Sequence, residues 1–434
     1  MNKKLRALIL LTLISMLTGV IGVSAQDDNQ VTFMSTQFNI IEEAEKFREI
    51  LAESGMEIEY LPTDEQPVFD TLTGEAGQEA GSIDVLGALH GTYPTLVNAD
   101  VLFDLSPLLE QVEAEVDLAD SFVELGKMGT TDYQYYVPWM QATYIMAANV
   151  EALEYLPEGV DINALTWDQL AEWAAAVQEG TGEPKLGFPV AGLWHRVLEG
   201  YLWPSYTGGM VTRFNGPEAA EMMTFVRDEL WPSVHPQSIT YEFMQEPLLS
   251  GEVWIALDHT ARLIEAFSQQ PEQFVAFPAP AGPAGRGFMP VVAGLAVPAN
   301  APNPDGAVAL IQYLLQPETQ SAVLNNLGFF PVVSGVDTSN LPEGVAIEEA
   351  AVSAQAAAED ALPALLPVGL GERGNELNEI FKSAANRILL DGEDIQSVLD
   401  DEAGNIQAIL TDSGAPCWPP DPVGEEACQI ETLE

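Results

Sequence analysis

Short apolar segments alternate with helical periodicity along the first part of the chain, and this alternation constrains the fold more than any other feature. Residues 31–36 and 57–61 are predicted strands, and the continuous apolar run at residues 83–89 is a third. Apolar residues at positions 40–51 recur every three or four residues, which is typical of a helix packed on one face. This order of elements predicts an α/β fold with buried parallel strands.

The chain changes character near Pro138, where Tyr and Trp residues are concentrated. Thr166-Trp167-Asp168-Gln169 follows as a capping-box motif, in which the Thr hydroxyl and the Gln amide satisfy backbone groups at a helix start. A second change, to a composition rich in Pro, Gly and Ala, occupies residues 274–304. The remaining predicted elements are strands at 143–148 and 291–297, a turn at 328–331, and helices at 304–315, 347–361, 377–389 and 395–410.

The N-terminus has the features of a signal peptide. Basic residues within the first six positions precede an apolar run at residues 7–23, and the run ends in Val23-Ser24-Ala25. We expect residues 1–25 to be removed, so that an exported protein begins at Gln26 in the periplasm or at the cell surface. The alternative is a retained anchor, because the run nearly reaches the length of a membrane span. No Cys lies directly after the run, which argues against a lipoprotein.

The two cysteines of the chain, Cys417 and Cys428, lie close together near the C-terminus. Exported proteins fold in an oxidising compartment, so the pair is expected to form a disulfide that closes a short Pro-rich loop. Two free thiols are the alternative.

Acidic residues greatly outnumber basic ones, at 66 Asp plus Glu against 15 Lys plus Arg. Nucleic-acid binding depends on basic side chains that neutralise phosphates, so nucleic acid is excluded as a partner. The acid excess is explained most simply by solubility or by a high-salt habitat. A receptor for a cationic ligand such as a polyamine is an alternative.

A series of short motifs resembles a known family when its members are taken in order. The motifs are Val31-Thr32-Phe33, Ile83-Asp84-Val85, Val137-Pro138, Asn149, Thr166-Trp167-Asp168, Ser250-Gly251-Glu252, Phe277-Pro278-Ala279-Pro280 and Gly328-Phe329-Phe330-Pro331. Together with the exported N-terminus they resemble extracellular solute-binding protein family 1, the sugar-binding subunits of ATP-binding-cassette (ABC) importers. The chain departs from this family where Ala148 precedes Asn149 and where Trp254 follows Gly251-Glu252-Val253.

The resemblance implies a periplasmic-binding-protein-like fold of two α/β lobes, joined by a hinge of crossing strands and completed by a helical C-terminal region. The first lobe is expected to contain residues 27–140 and 279–328, and the second residues 141–278 and 329–434. It also implies a carbohydrate ligand enclosed between the lobes, permease subunits as the membrane partner, a monomer, and no cofactor.

Candidate ligand contacts are polar and aromatic residues at strand ends, because open α/β sheets bind ligands there and sugars need both stacking faces and hydrogen bonds. Asp258 is the principal polar candidate, since it follows an apolar strand and could accept two sugar hydroxyls. Core packing is the alternative for Trp139, and a structural role is the alternative for His90. Trp203, Trp231 and Trp418 are assigned to packing. The full set of candidates is Gln37, His90, Tyr93, Trp139, Gln141, Tyr144, Trp194, His195, Asp258, His259, Arg262 and Arg373.

Catalytic and metal sites are not predicted. The sequence contains no His-Glu-x-x-His, Gly-x-Ser-x-Gly or phosphate-loop motif, and its four His residues lack metal-ligand spacing. A secreted glycoside hydrolase remains an alternative, because it would share the aromatic residues and acids of a sugar receptor.

Overall fold

The computed structural model describes residues 30–118, 120–128, 130, 133–367, 369–370, 373–422 and 426–431. The expected signal peptide, residues 1–25, and the new N-terminus at Gln26 lie outside the described residues. None of the helices in the described ranges combines the length and the apolar character that a membrane span requires.

Twelve strands are formed within the described ranges. They are β1 (Gln30–Ser35), β2 (Glu57–Pro62), β3 (Val85–Leu89), β4 (Val137–Ala142), β5 (Tyr144–Asn149), β6 (Leu186–Gly187), β7 (Ile255–His259), β8 (Phe274–Phe277), β9 (Arg286–Phe288), β10 (Val291–Ala296), β11 (Phe330–Pro331) and β12 (Ala361–Pro363).

The α-helices of the same ranges are α1 (Ile41–Ala52), α2 (Glu65–Gly74), α3 (Tyr93–Asn98), α4 (Ser106–Glu113), α5 (Asp120–Gly126), α6 (Trp167–Thr181), α7 (Trp194–Val197), α8 (Trp203–Thr207), α9 (Pro217–Phe225), α10 (Gln245–Ser250), α11 (Ile264–Gln269), α12 (Pro304–Leu314), α13 (Pro317–Leu327), α14 (Glu343–Ala356), α15 (Gly374–Leu389) and α16 (Ile395–Ser413).

The first lobe is built on a six-stranded sheet in the order β11-β4-β10-β3-β1-β2. Strand β1 pairs in parallel with both β2 and β3, whereas β10 pairs antiparallel with β3 and β4. Both faces of the sheet are covered: Phe33 packs in one apolar cluster, and its neighbour Met34 packs in another on the opposite face. Successive side chains of a strand point to opposite faces, so near-continuous apolar strands are what a sheet covered on both faces requires.

The second lobe is built on a four-stranded sheet in the order β6-β7-β5-β8. The same alternation is seen in β5, where Met146 packs in the largest apolar cluster and Ile145 packs in a separate one. A small sheet of β9 and β12 joins the Pro- and Gly-rich segment to the chain that follows α14. The protein is therefore a two-lobed α/β structure, as predicted.

Most local predictions were confirmed, and the turn at residues 328–331 was partly wrong. Gly328 ends α13 with φ of 69°, but Phe330 and Pro331 pair with Gln141 and Met140 at the edge of the first sheet. A two-residue strand contains no periodicity that could distinguish it from a turn. Its pairing partner lies far away in the sequence, so local patterns could not predict it.

The lobe assignment of residues stays a prediction, but the sheets show where the chain crosses. The chain passes from β4 to β5 at Thr143. Strand β9 of the small sheet precedes β10, and Phe288 and Met289, between the start of β9 and β10, pack with the second lobe. The crossing back therefore lies near Pro290, and the last crossing follows β11. The crossings at Thr143 and after β11 lie a few residues from the expected boundaries, and the crossing near Pro290 lies about a dozen residues from its expected boundary.

The C-terminal tail, defined here as residues 414–422 and 426–431, follows α16 and contains the predicted disulfide between Cys417 and Cys428. Gly414 adopts φ of 66° and ends the helix in the left-handed conformation that favours glycine. The tail then lies on the second lobe, where Trp418 is buried in the largest apolar cluster.

Candidate functional site

A cavity of about 1100 Å³ lies between the two lobes. Residues from the first lobe line one side, among them His90, Gln141 and Val332. Residues packed with the second lobe line the other side, among them Phe288 and Trp418. The cavity adjoins the edge of the first sheet at which β3 ends and β10 begins. A cleft at the carboxyl end of parallel strands is the usual position of a ligand site in such folds.

His90 follows β3 directly and is 6% exposed. Its Nδ1 lies 2.7 Å from the hydroxyl oxygen of Tyr136, and burial lowers the pKa of His90 to about 4. The ring is therefore neutral at physiological pH. When the Tyr136 hydroxyl donates to Nδ1, the ring proton lies on Nε2, which is then a hydrogen-bond donor.

Tyr136 is held between the sheet and Tyr93. The two rings stack with centroids 4.5 Å apart, and the Tyr93 hydroxyl donates to the carbonyl of Gly294 over 2.7 Å. A Cβ atom at Gly294 would collide with the Tyr136 ring, so only glycine allows this close approach. Tyr93, a predicted contact, thus supports His90 through Tyr136 and is itself fully buried.

Gln141, in β4, lines the cavity and donates from Nε2 to the carbonyl of Pro331 over 3.2 Å. The neighbouring wall is fixed by Ser334, whose hydroxyl donates to the carboxylate of Asp117 over 3.0 Å. Asp117, Ser334 and Glu124 all line the cavity. The first-lobe wall thus offers an imidazole, an amide, a hydroxyl and carboxylates.

The opposite wall is largely apolar. It contains Phe288 at the end of β9 and Trp418 with its neighbouring prolines in the C-terminal tail. Leu365, after β12, also lines the cavity, and its side chain packs against an apolar cluster of the first lobe. Phe288 is 8% exposed and Trp418 is 4% exposed, so each packs in the second-lobe core while also lining the cavity. Flat apolar groups face hydrogen-bonding groups across the space, which is the combination that a sugar requires.

A second group of predicted residues meets at the edge of the second sheet. Tyr144 and His259 are paired between β5 and β7, and their rings meet edge to face with centroids 5.1 Å apart. His259 Nδ1 accepts from the backbone N–H of Ala261 over 3.2 Å. Arg262 donates to the carbonyl of Glu242 and lies 4.4 Å above the ring of Phe243. None of these predicted residues is among those that line the cavity, although they occupy the second sheet's corresponding edge.

Asp258 lies in the same strand but on the opposite face, fully buried. Its carboxylate accepts from the backbone N–H groups of Met244 and His259, both over 2.8 Å. Burial raises the pKa of Asp258 to about 7, although these hydrogen bonds lower it. Asp258 therefore joins two backbone segments, and this placement favours a structural role.

Trp139 is buried in an aromatic cluster of the first lobe. Its ring centroid lies 5.7 Å from those of Phe33 and Phe38 and 5.5 Å from that of Phe47. This placement corresponds to the packing alternative, not to a stacking face. Gln37 follows β1, and its Nε2 donates to the hydroxyl of Thr36 over 3.0 Å.

The other candidates lie elsewhere in the molecule. Trp194 and His195 begin α7 within the core of the second lobe, where burial and the charges of Arg196 and Lys382 lower the pKa of His195 to about 3. Arg373 forms ion pairs with Glu376 and Asp412 near the C-terminal helices. The structure therefore brings His90 and Gln141 together in the cavity and leaves these three residues outside it.

Sequence patterns did not identify Phe288, Leu365 and Trp418 as cavity residues. Phe288 and Leu365 lie in Pro-rich segments without clear periodicity, and Trp418 is assigned to packing as a large apolar residue. The disulfide was the one available signal, because it marks a tail that is held in place. The described residues contain no cluster of His, Cys, Asp and Glu suited to a metal ion.

Two α/β lobes, three crossing segments and a large cavity between the lobes define a hinged binding protein. The chain belongs to the family described as bacterial extracellular solute-binding protein, whose model matches residues 40–321.

Solved structures with the same fold include several binding proteins. The sugar-binding protein MalE from Xanthomonas citri has a TM-score of 0.72 and 14% identity, and the similarity covers 88% of this chain and 98% of that one. Maltose-bound MalE3 from T. maritima has a TM-score of 0.65 and 18% identity, covering 88% and 100%. UgpB from Mycobacterium tuberculosis, in complex with glycerophosphocholine, has a TM-score of 0.64 and 18% identity, covering 88% and 98%. No curated protein sequence matches the chain significantly.

Proposed function

We propose that the protein is an extracytoplasmic receptor that encloses a carbohydrate between its lobes and delivers it to the permease subunits of an ABC importer. The observation that carries this proposal is the composition of the cavity, where Phe288 and Trp418 lie on one wall and His90 and Gln141 lie on the other. Sugars present apolar C–H faces and hydroxyl edges, and these two walls match those two kinds of surface.

The relatives with the same fold support a carbohydrate ligand. MalE3 from T. maritima was solved with maltose, and a receptor from Streptomyces glaucescens was solved with acarbose. Membership of the family supports an exported solute receptor. That the receptor is a monomer without catalytic activity is part of the proposal. In the cavity, neutral His90 would exchange hydrogen bonds with sugar hydroxyls. Tyr144, His259 and Arg262 would approach the ligand from the second lobe on closure.

A cationic ligand is the second candidate, because two carboxylates, Asp117 and Glu124, line the cavity. Sugar binding would be nearly independent of salt, whereas binding of a polyamine would weaken strongly as salt screens the charges. Comparing affinity at low and high salt therefore separates the two candidates.

Thermal-shift measurements test the proposal with maltose, maltotriose, acarbose, glycerophosphocholine and spermidine as probes. A ligand present at 100 times its dissociation constant adds about 2.7 kcal/mol to the free energy of unfolding, which gives a measurable shift. Calorimetric titration then gives the affinity for His90→Ala and for the control His235→Ala. His235 stacks on Tyr241 in the second lobe and does not line the cavity.

We expect a sugar to bind with its linkages intact after prolonged incubation, and we expect only His90→Ala to weaken binding. If spermidine binds and none of the sugars does, the proposed ligand class is a cation and not a carbohydrate. Cleaved oligosaccharides would instead identify a glycoside hydrolase.

A further inference from the structure

The C-terminal tail, residues 414–422 and 426–431, lies beyond the part of the chain that the family model matches. It is fastened to the second lobe at several points. The buried carboxylate of Asp421 accepts from the backbone N–H groups of Met210 and Val211, over 2.9 and 2.8 Å. It also accepts from both the N–H and the hydroxyl of Thr212. These bonds hold the middle of the tail against the loop that follows α8.

The two ends of the tail are fastened separately. The backbone N–H of Cys428 donates to the carbonyl of Ala415 over 2.8 Å, and the disulfide joins Cys428 to Cys417. Further along, the N–H of Glu431 donates to the carbonyl of Thr212 over 2.7 Å. The described residues of the tail are therefore held in one position on the lobe by the crosslink and these hydrogen bonds.

That position places the tail against the cavity. Pro416, Cys417, Trp418 and Pro419 all line it, directly beside the segment after β12. The backbone N–H of Leu365, itself a lining residue, donates to the carbonyl of Pro419 over 2.9 Å. The tail and the segment after β12 therefore form one continuous wall.

We propose that the C-terminal tail is part of the ligand site, with Trp418 contacting the bound solute and the disulfide and Asp421 positioning it. The inference rests on the proposed function, because it assigns the tail to the carbohydrate-binding cavity. The indole of Trp418 is 4% exposed and already fixed in the wall of the cavity, so the exposed part of its ring can contact a solute with little loss of side-chain entropy. The tail thereby determines the size and shape of the sugar that the cavity accepts.

Fluorine NMR and calorimetric titration of the protein without residues 1–25 test this proposal. The protein is labelled with 5-fluorotryptophan, and Trp418→Phe and Trp203→Phe assign the two signals. Trp203 is the matched control, because it is buried in the same apolar cluster but does not line the cavity. The probes are maltose, maltotriose and acarbose.

We expect a bound sugar to shift the Trp418 signal and to leave the Trp203 signal in place. Trp418→Ala should weaken binding by about tenfold or more, as for a central contact residue, and Trp418→Phe should weaken it less. Trp203→Phe should stay within about twofold of the wild type. The double variant Cys417→Ser, Cys428→Ser should also bind more weakly, since the tail is then less firmly positioned.

Sugar binding with unchanged affinity in Trp418→Ala would overturn the role of the tail while leaving the proposed function intact. If none of the three sugars binds the wild type, the carbohydrate assignment fails for these probes. The neutral nitroxide 4-hydroxy-TEMPO then tests the tail separately. Stronger broadening of the Trp418 signal than of the Trp203 signal would support a cavity wall, and equal broadening would refute it.

Discussion

At the scale of single residues, the position of His90 depends on atoms that never face the cavity. Its ring is fixed by the Tyr136 hydroxyl and Tyr136 stacks on Tyr93. The Tyr136 ring packs against Gly294, and the Tyr93 hydroxyl donates to the Gly294 carbonyl. A substitution at Gly294 should therefore displace Tyr136 and, through it, His90 at the cavity.

Gly294→Ala should lower both stability and ligand affinity, because the added methyl group displaces Tyr136. Overpacking of this kind costs about 1 to 3 kcal/mol in the free energy of unfolding, which urea denaturation measures. Gly404→Ala is the control, since Gly404 lies within α16 and a Cβ there meets no other atom within 4 Å. This control should be neutral or stabilising by up to about 1 kcal/mol. Equal stability of the two variants would contradict the packing described here.

His195 should make stability depend on pH. Its pKa is lowered to about 3 in the folded protein, against an ordinary value of 6.5. As the pH falls below 6.5, the unfolded chain binds a proton that the folded protein does not bind, so stability is lost. His195→Gln should remove this loss, a difference of about 2 kcal/mol between pH 8 and pH 5 by urea denaturation. If the free energy of unfolding changes with pH in the same way in the wild type and in His195→Gln, His195 does not contribute to the pH dependence of stability.

Residue types at strand ends predicted part of the cavity lining, and the structure places other candidates in the core for a physical reason. His90, which follows β3 directly, and Gln141, a candidate from the hinge, both line the cavity. Trp139, in β4, and Asp258, in β7, are also candidates, but their side chains are buried within the protein. The face that a strand residue occupies depends on what covers the sheet, and a single sequence does not contain that information.

At the scale of elements, local motifs were predicted most accurately. The Thr166 capping box forms with both expected hydrogen bonds, over 3.0 and 3.2 Å, because all of its partners lie within four residues. The tail shows the opposite case. Its disulfide was predicted, but its place beside Leu365 depends on contacts between segments far apart in the chain.

Asp421→Ala should loosen the tail as a unit. The change removes an acceptor for three backbone N–H groups and one hydroxyl, and the buried N–H groups then lack partners. We expect a loss of about 2 to 4 kcal/mol in the free energy of unfolding, because hydrogen bonds to a buried charge are stronger than average. Asp412→Ala, which removes an exposed ion pair with Arg373, should cost less than about 1 kcal/mol. Thermal denaturation and limited proteolysis of the tail would both report the difference.

At the scale of the whole molecule, the fold predicts that the lobes move as bodies. In the described residues the chain crosses between the lobes at Thr143, near Pro290 and after β11, and the cavity lies between the lobes. Binding proteins of this architecture close by rotation about such hinges.

A saturating sugar should therefore reduce the radius of gyration measured by small-angle X-ray scattering. The change should be absent in His90→Ala at the same sugar concentration if that variant no longer binds. An unchanged radius in a wild-type protein whose calorimetric titration shows saturation would contradict closure.

The order of strands in the first sheet also has a consequence for how the protein is made. Strand β10 lies between β3 and β4, and β11 completes the edge of the sheet. Leu89 therefore cannot pair with Ala293 until about 200 further residues have been synthesised. Pairings between distant segments form slowly. The first sheet lacks β10 and β11 as long as the middle of the chain is still being synthesised. A chain that stays unfolded during synthesis can be threaded through a translocation channel, so this strand order favours folding after export.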